Sequence, residues 1–251
     1  MNGARLASSE LLRREVATLV FTPDRLAVIK GGPAARRAYF DRVLGRLLPA
    51  RAGLPQDYLA ALAQRNAGLR RMQLGYADPS ALAPWTARLA ELGAALTDAR
   101  RETLAALGPG FAERADELGL PAAALGYDAE APRIEQLEAR LRADLERGST
   151  GLGPHLDDIM VTSDERDLRR FGSQGEQRLA VLSLLLAEAE LLPVRPLLLL
   201  DDVLSELDAG RRRTLGARIA EAGQTVVTAT EAAALPFEPA QVVQVEHGTA
   251  R

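Results

Sequence analysis

Between residues 33 and 147 apolar side chains recur at every third or fourth position, most regularly at Leu89, Leu92, Leu96 and Ala99, and this period predicts helices. Breaks fall at Pro49, at Gly53-Leu54-Pro55, at Asp78-Pro79, at Gly108-Pro109-Gly110 and between Gly119 and Pro132, so four or five helices are expected. Outside this stretch the pattern changes. Short β-type runs at 18–21, 159–162, 225–230 and 241–245, with four consecutive leucines at 197–200, predict strands. A long apolar helix starting near Ser173 and an arginine-rich helix over 210–222 separate the later strands. Strands alternating with helices predict an α/β layer, into which the all-helical stretch is inserted.

The most informative stretch is 171–208, which holds a Ser-Gln-Gly-Glu-Gln turn, the apolar helix, and the leucine strand ending in Asp201-Asp202. Ser173 stands three residues before Glu176, the spacing of a capping box, in which each side chain satisfies an amide of the first helical turn. The open amino end of such a helix suits an anion, and phosphate is the candidate. Paired acids at the carboxyl end of a buried strand suit magnesium, which prefers carboxylate and water oxygens. Taken singly, a capped helix and an acidic turn are commonplace. Their joint order is far more specific.

Composition narrows the chemistry. The 251 residues are 47% hydrophobic, enough for a sizeable core. No cysteine is present, which excludes disulfides and thiolate chemistry, and two histidines leave little for an imidazole metal site. Neither a signal-peptide core nor a run of about eighteen apolar residues occurs, so a cytoplasmic protein with no membrane partner is expected. Net charge is −3, but thirteen basic and five acidic residues fall in 1–75, against eight and thirteen in 76–150. Arg36, Arg37, Arg42, Arg46, Arg65, Arg70 and Arg71 form a candidate phosphate-backbone contact, with Arg36, Arg37, Arg70 and Arg71 the leading DNA-binding candidates. The alternative for each is a solvated helix face. Lys30 is the only lysine.

The series of signature turn, helix, acid-ending strand and Ser205-Glu206-Leu207-Asp208 resembles an ABC-type ATPase. Within that superfamily the segments FGSQGEQR, LLLLDDVLSELD, GPHLDD and VFTPDRLAVIKGGPAARRAYFD resemble the RecF family of bacterial DNA replication and repair proteins. The resemblance implies a partial ABC-type ATPase head with a P-loop NTPase-like sheet and a helical second lobe. Its parts would be a remnant of the N-terminal ATPase lobe over 1–32, the helical lobe over 33–147, and a C-terminal ATPase lobe over 148–251. It further implies ATP and Mg2+ as cofactors. Asp201 would hold the metal through water, and Asp202 would orient the attacking water. Ser173, Gln174, Gly175, Glu176 and Gln177 would face the nucleotide of a second subunit, with Asp208 at the dimer seam. DNA gaps and junctions, an ATP-dependent homodimer, and RecO and RecR are the implied partners.

One departure is large. Phosphoryl-transfer sites of this type need a glycine loop with a lysine, yet no G-x-x-x-x-G-K-[ST] segment exists here, and Lys30 is followed by Gly31-Gly32-Pro33. Asn2-Gly3, a hairpin dipeptide with no strand before it, fits a chain that starts past the phosphate loop. A truncated head, deficient in ATP binding by itself, is therefore expected. The alternative is a non-enzymatic degenerate head, or a helical DNA-binding module, acting with an intact partner. Leu156 stands where RecF relatives commonly carry arginine. His155 reads either as a polar contact near the nucleotide layer or as a satisfied loop histidine, and His247 as an exposed bystander.

Overall fold

Pro196 lacks an amide for a ladder and Asp201-Asp202 resist burial, so the four leucines between them are left to form a short strand, alternately half-buried and buried. The computed structural model describes residues 17–205, 207–231, 235–246 and 249–250. In chain order its main elements are β1 (Thr18–Phe21), α1 (Pro33–Leu47), α2 (Leu54–Gln73), α3 (Ala83–Glu117), β2 (Ala124–Gly126), α4 (Ile134–Ala139), α5 (Leu141–Arg147), β3 (Met160–Ser163), α6 (Gln174–Leu191), β4 (Leu197–Leu200), α7 (Ala209–Ala222) and β5 (Thr225–Val227). Asn2-Gly3, Glu206 and His247 lie outside the described residues.

Two compact units result. The first gathers Met1–Lys30, Gly110–Ala123 and Ser163–Arg251. Its parallel sheet has the order β1-β4-β5, with Thr18 opposite Leu197, Phe21 opposite Leu200, and Leu198 opposite Thr225. Parallel neighbours need a crossover, and α7 supplies it between β4 and β5. α6 packs against β1 and α7 and buries every residue from Gln177 to Ala189, which explains why its apolar character runs all round the helix.

The expected strand at 225–230 stops at Val227, because Thr228 turns its hydroxyl to the acids described below. The run at 241–245 is not a strand of this sheet. Only Val245–Glu246 is extended, in an antiparallel pair with Thr249–Ala250, and Val242, Val243 and Val245 are exposed. Their β propensity has no buried face to satisfy.

The second unit comprises Gly31–Pro109 and Ala124–Thr162. Its core joins Leu44 of α1, Tyr58, Ala61 and Leu62 of α2, Leu89, Leu92, Leu96 and Ala99 of α3, and Leu137 of α4. The predicted period at 89–99 is thus the buried stripe. β2, which no local pattern in the sequence marks, pairs antiparallel with β3, Leu125 facing Val161. That pairing carries residues 148–162 into the helical unit, so its boundary lies beyond the expected 147.

The break expected at Gly108-Pro109-Gly110 is absent, and α3 runs through Pro109. An interior proline costs about 3 kcal/mol. Leu107 and Phe111 are fully buried on either side of it, and burying one such side chain contributes about 1.5–3 kcal/mol. Two anchors therefore offset the lost backbone bond.

Candidate functional site

The carboxyl end of β4 delivers Asp201 and Asp202 side by side. Asp201 continues the ladder, its amide donating to Phe21 O at 2.9 Å. Thr228, just past β5, donates its hydroxyl to Asp201 Oδ1 at 2.6 Å and accepts the Asp202 amide at 3.0 Å. Asp202 turns into the left-handed region at φ 49°, a conformation that aspartate tolerates better than most side chains. Ser205 Oγ donates to Asp202 Oδ2 at 3.0 Å. Both acids remain open to solvent. Two exposed carboxylates fit a magnesium ion that takes its other ligands from water and phosphate. Among the described residues no group of three His, Cys, Asp or Glu side chains could form an all-protein cage.

The capping box at the start of α6 is formed as expected. Ser173 Oγ accepts the Glu176 amide at 3.2 Å, and Glu176 Oε2 accepts the Ser173 amide at 2.7 Å. This second bond holds the Glu176 carboxyl below its usual range, with Arg166 adding to the effect at 3.5 Å. Ser173 and Gln174 are exposed, and a Cβ on Gly175 would meet nothing nearer than Ser173 Oγ at 3.9 Å. These three face open space where an anion can approach. Gln177 does not share their position: it is buried and donates to Leu168 O at 2.8 Å, bracing the helix on the turn before it. Asp208 caps α7 through the Arg211 amide at 2.9 Å, a bond that lowers its carboxyl pKa.

Arg178, the last residue of the FGSQGEQR segment, is a member of this site to which the sequence alone gives no role. It is buried in α6, lies 5.6 Å from the Phe21 ring, and donates to Asp202 O at 2.6 Å. The helix that carries Ser173 is thereby tied to the strand end that carries the acids. A lone cation in a wholly buried helical stretch was the available signal, because such a charge needs a partner.

In the helical unit the arginine candidates separate. Arg36 is 3% exposed and forks onto Asp158 at 2.6 Å through both Nε and Nη2, with Gly31 O at 2.9 Å. Arg37 donates to Asp157 O at 2.6 Å, and burial lowers its pKa. Arg65 and Asp144 form a 2.8 Å pair in which each side chain is 1% exposed. Arg36 and Arg65 hold the fold together and are withdrawn from any phosphate, whereas Arg37 is half-buried. Arg70 and Arg71 are exposed and have no ion pair among the described residues.

His155 also belongs to the helical unit. Its Nε2 lies 3.1 Å from Thr150 O, which can only accept, so Nε2 carries the proton and Nδ1 accepts from Tyr58 Oη at 2.7 Å. Burial lowers the imidazole pKa and raises that of the Tyr58 phenol. Tyr127 donates to Asp157 Oδ2 at 2.6 Å, and its own pKa is pushed up to about 12, mainly by burial. The His155 ring and both aspartates of the GPHLDD segment thus find partners within the helical unit.

The chain is 37% identical over 269 residues to the DNA replication and repair protein RecF of Frankia alni, covering 94% of this chain and 71% of that protein. It is 39% identical over 256 residues to RecF of Moorella thermoacetica, covering 98% and 68%. The chain belongs to the RecF family. The solved structure of the recombination mediator protein RecF-ATP in the RecFOR pathway matches with a TM-score of 0.83 at 27% identity, over all of this chain and 71% of that one. A second structure, RecF-ATPrS of the same pathway, matches equally well. No family model matches. The fold is accordingly that of a RecF head, with its parallel sheet and helical lobe.

Proposed function

We propose that this RecF-family chain acts in DNA replication and recombinational repair in the cytoplasm, as part of an ATP-dependent dimer that binds DNA at single-strand gaps and junctions together with RecO and RecR. The observation that carries the reading is the acid pair at the end of β4, held by Thr228 and linked through Arg178 to the helix behind Ser173. In this assignment Asp201 would hold magnesium, and Asp202 would orient the attacking water. Bound magnesium would neutralise phosphate charge. Ser173, Gln174 and Gly175 present donors to the γ-phosphate of ATP on a second subunit, with Asp208 at the seam. Glu176 and Gln177 support that surface by capping and bracing it.

The relatives support this reading by name, and the matched RecF structures are those with ATP and ATPrS in the RecFOR pathway. No described helix is long and apolar enough to cross a membrane. The 251 residues contain no G-x-x-x-x-G-K-[ST] segment, so by themselves they are proposed to bind ATP weakly and not to hydrolyse it. Magnesium-dependent turnover by the purified chain, abolished in Asp202→Asn, would overturn that point.

The role in trans is tested by adding the chain to an intact RecF and measuring ATP turnover. Turnover is expected to rise with the chain and not with Gly175→Asp, whose added carboxylate has room but repels phosphate. No rise with either form removes the composite-site reading and favours a helical DNA-binding module.

A further inference from the structure

The helical unit places two unneutralised guanidiniums, those of Arg140 and Arg147, at one rigid turn, residues 148–151, and carries a third arginine, Arg70, on the helix face bonded to it. We propose that this turn is a phosphate-backbone clamp for a nucleic-acid strand, with Arg70, Arg140 and Arg147 as its contacts. The proposal rests on the DNA-binding reading above and assigns it a location.

The first side of the clamp is a face of α2. Asn66, Arg70 and Gln73 are spaced four and three residues apart, so they share that face. Asn66 Oδ1 accepts both the amide and the hydroxyl of Thr150, each at 2.8 Å, and Gln73 Nε2 donates to Leu145 O. Arg70 therefore rises between two points at which the helix is fixed to the turn and the residues before it.

The second side comes from the ends of α4 and α5. Arg140 Nη2 and Arg147 Nη1 approach the place that a Cβ on residue 151 would occupy, to 3.1 and 2.8 Å. Glycine at 151 leaves that place empty, and two like charges converge there. Asp144 Oδ1 lies 3.3 Å from the same place. However, its carboxylate is already engaged, Oδ2 by Arg65 at 2.8 Å and Oδ1 by the Gly151 amide at 3.0 Å. Arg70, Arg140 and Arg147 have no ion pair among the described residues. By contrast, Arg51, Arg88, Arg101 and Arg142 on the same unit are each paired with an acid.

The turn is built to hold still. Gly148 adopts φ 71°, its amide bonds Leu145 O at 3.1 Å, and the Ser149 amide bonds Asp144 O at 3.2 Å. With the amides of residues 148–151 all engaged, the guanidiniums carry the recognition, and their planar forks match phosphate oxygens. An exposed ring is close in sequence: Tyr76 is 75% exposed, and its amide is fixed on Arg71 O at 2.9 Å just past α2. A ring beside a basic track suits an unpaired base and favours a nucleic acid over other polyanions.

The test compares the whole chain with Arg70→Gln/Arg140→Gln/Arg147→Gln and with a control, Arg51→Gln/Arg88→Gln/Arg101→Gln. Binding of a labelled single strand and a gapped duplex is followed by anisotropy across a salt series, with thermal melts run in parallel. For a single strand, each phosphate left without its guanidinium flattens the slope of log K against log salt by roughly 0.7, so the clamp variant should lose about two in slope. The control should keep the wild-type slope, and the melting temperature of the clamp variant should not fall. Wild-type binding that is unchanged in the clamp variant, or equally weakened in the control, overturns the clamp and leaves the DNA-binding reading standing. A wild-type chain that binds neither probe overturns both, and a clamp variant that melts early shows the three arginines to be structural.

Discussion

One hydroxyl fixes both acids of the candidate site: Thr228 Oγ1 donates to Asp201 Oδ1 at 2.6 Å and accepts from the Asp202 amide at 3.0 Å. The strand carrying the acids is thereby locked to its neighbour at the point where the chain leaves the sheet. Thr228→Val keeps the shape and removes both bonds. A loss of about 1 kcal/mol in urea unfolding is expected, and Thr228→Ser should restore most of it. An unchanged midpoint in the valine variant would show that the lock contributes nothing.

The Arg65–Asp144 pair gives a larger effect. Both side chains are 1% exposed, and Thr150 and Gly151 also depend on them. Removing one partner strands the other charge, at a cost of about 3–5 kcal/mol. Arg65→Met and Asp144→Leu should each destabilise the chain by that order in denaturant titration, and the double variant by less than their sum. Additive losses would mean that the two groups are not coupled.

Arg36 is expected to behave as a structural residue. Its fork on Asp158 and its bond to Gly31 O are lost in Arg36→Gln. Stability should fall by about 1–3 kcal/mol, while the salt slope of DNA binding stays at the wild-type value. A flatter slope without loss of stability would return Arg36 to the DNA surface.

His155 sets a pH dependence for the helical unit. Burial lowers its pKa from the ordinary value of 6.5, so the unfolded chain binds the proton more readily. Stability from the neutral imidazole is complete above 6.5 and is lost as pH falls below 6.5 toward the folded-state value. Chemical unfolding followed between pH 7 and 5 should show this decline, and His155→Gln should flatten it. An unchanged slope in the variant would place the effect elsewhere.

Ser173→Ala removes the cap of α6 and should cost about 1 kcal/mol. Glu176 retains its bond to the Ser173 amide, so its carboxyl should remain depressed. Its stabilising contribution is present above the ordinary pKa and lost as pH falls through the depressed one. Carboxyl chemical shifts followed through an acid titration check both statements.

The parts written in local sequence were readable in advance. The Ser173–Glu176 box, the leucine strand with its two acids, and the stripe Leu89, Leu92, Leu96, Ala99 depend on spacing alone, and all three are present. What could not be read depends on distant partners. Pro109 marks a break by every local rule, but burial of Leu107 and Phe111 overrides it. Arg36 and Arg70 look alike in the sequence, and only Asp158, more than a hundred residues on, withdraws the first from solvent. Ala124–Gly126 is too short and too plain to announce a strand until β3 lies beside it. Arg178 has a place in the site only because Phe21 and Asp202 meet it there.

The left-handed backbone at Asp202 restricts what can stand at that corner. Aspartate, asparagine and glycine reach this conformation readily, whereas alanine or a β-branched residue is strained by about 1 kcal/mol or more. Charge and backbone shape can therefore be varied separately here. Asparagine removes the charge and keeps the corner, glycine removes the side chain and relaxes the corner, and alanine confounds the two. Position 202 is a three-letter alphabet, and an experiment that spells outside it measures the turn as well as the acid.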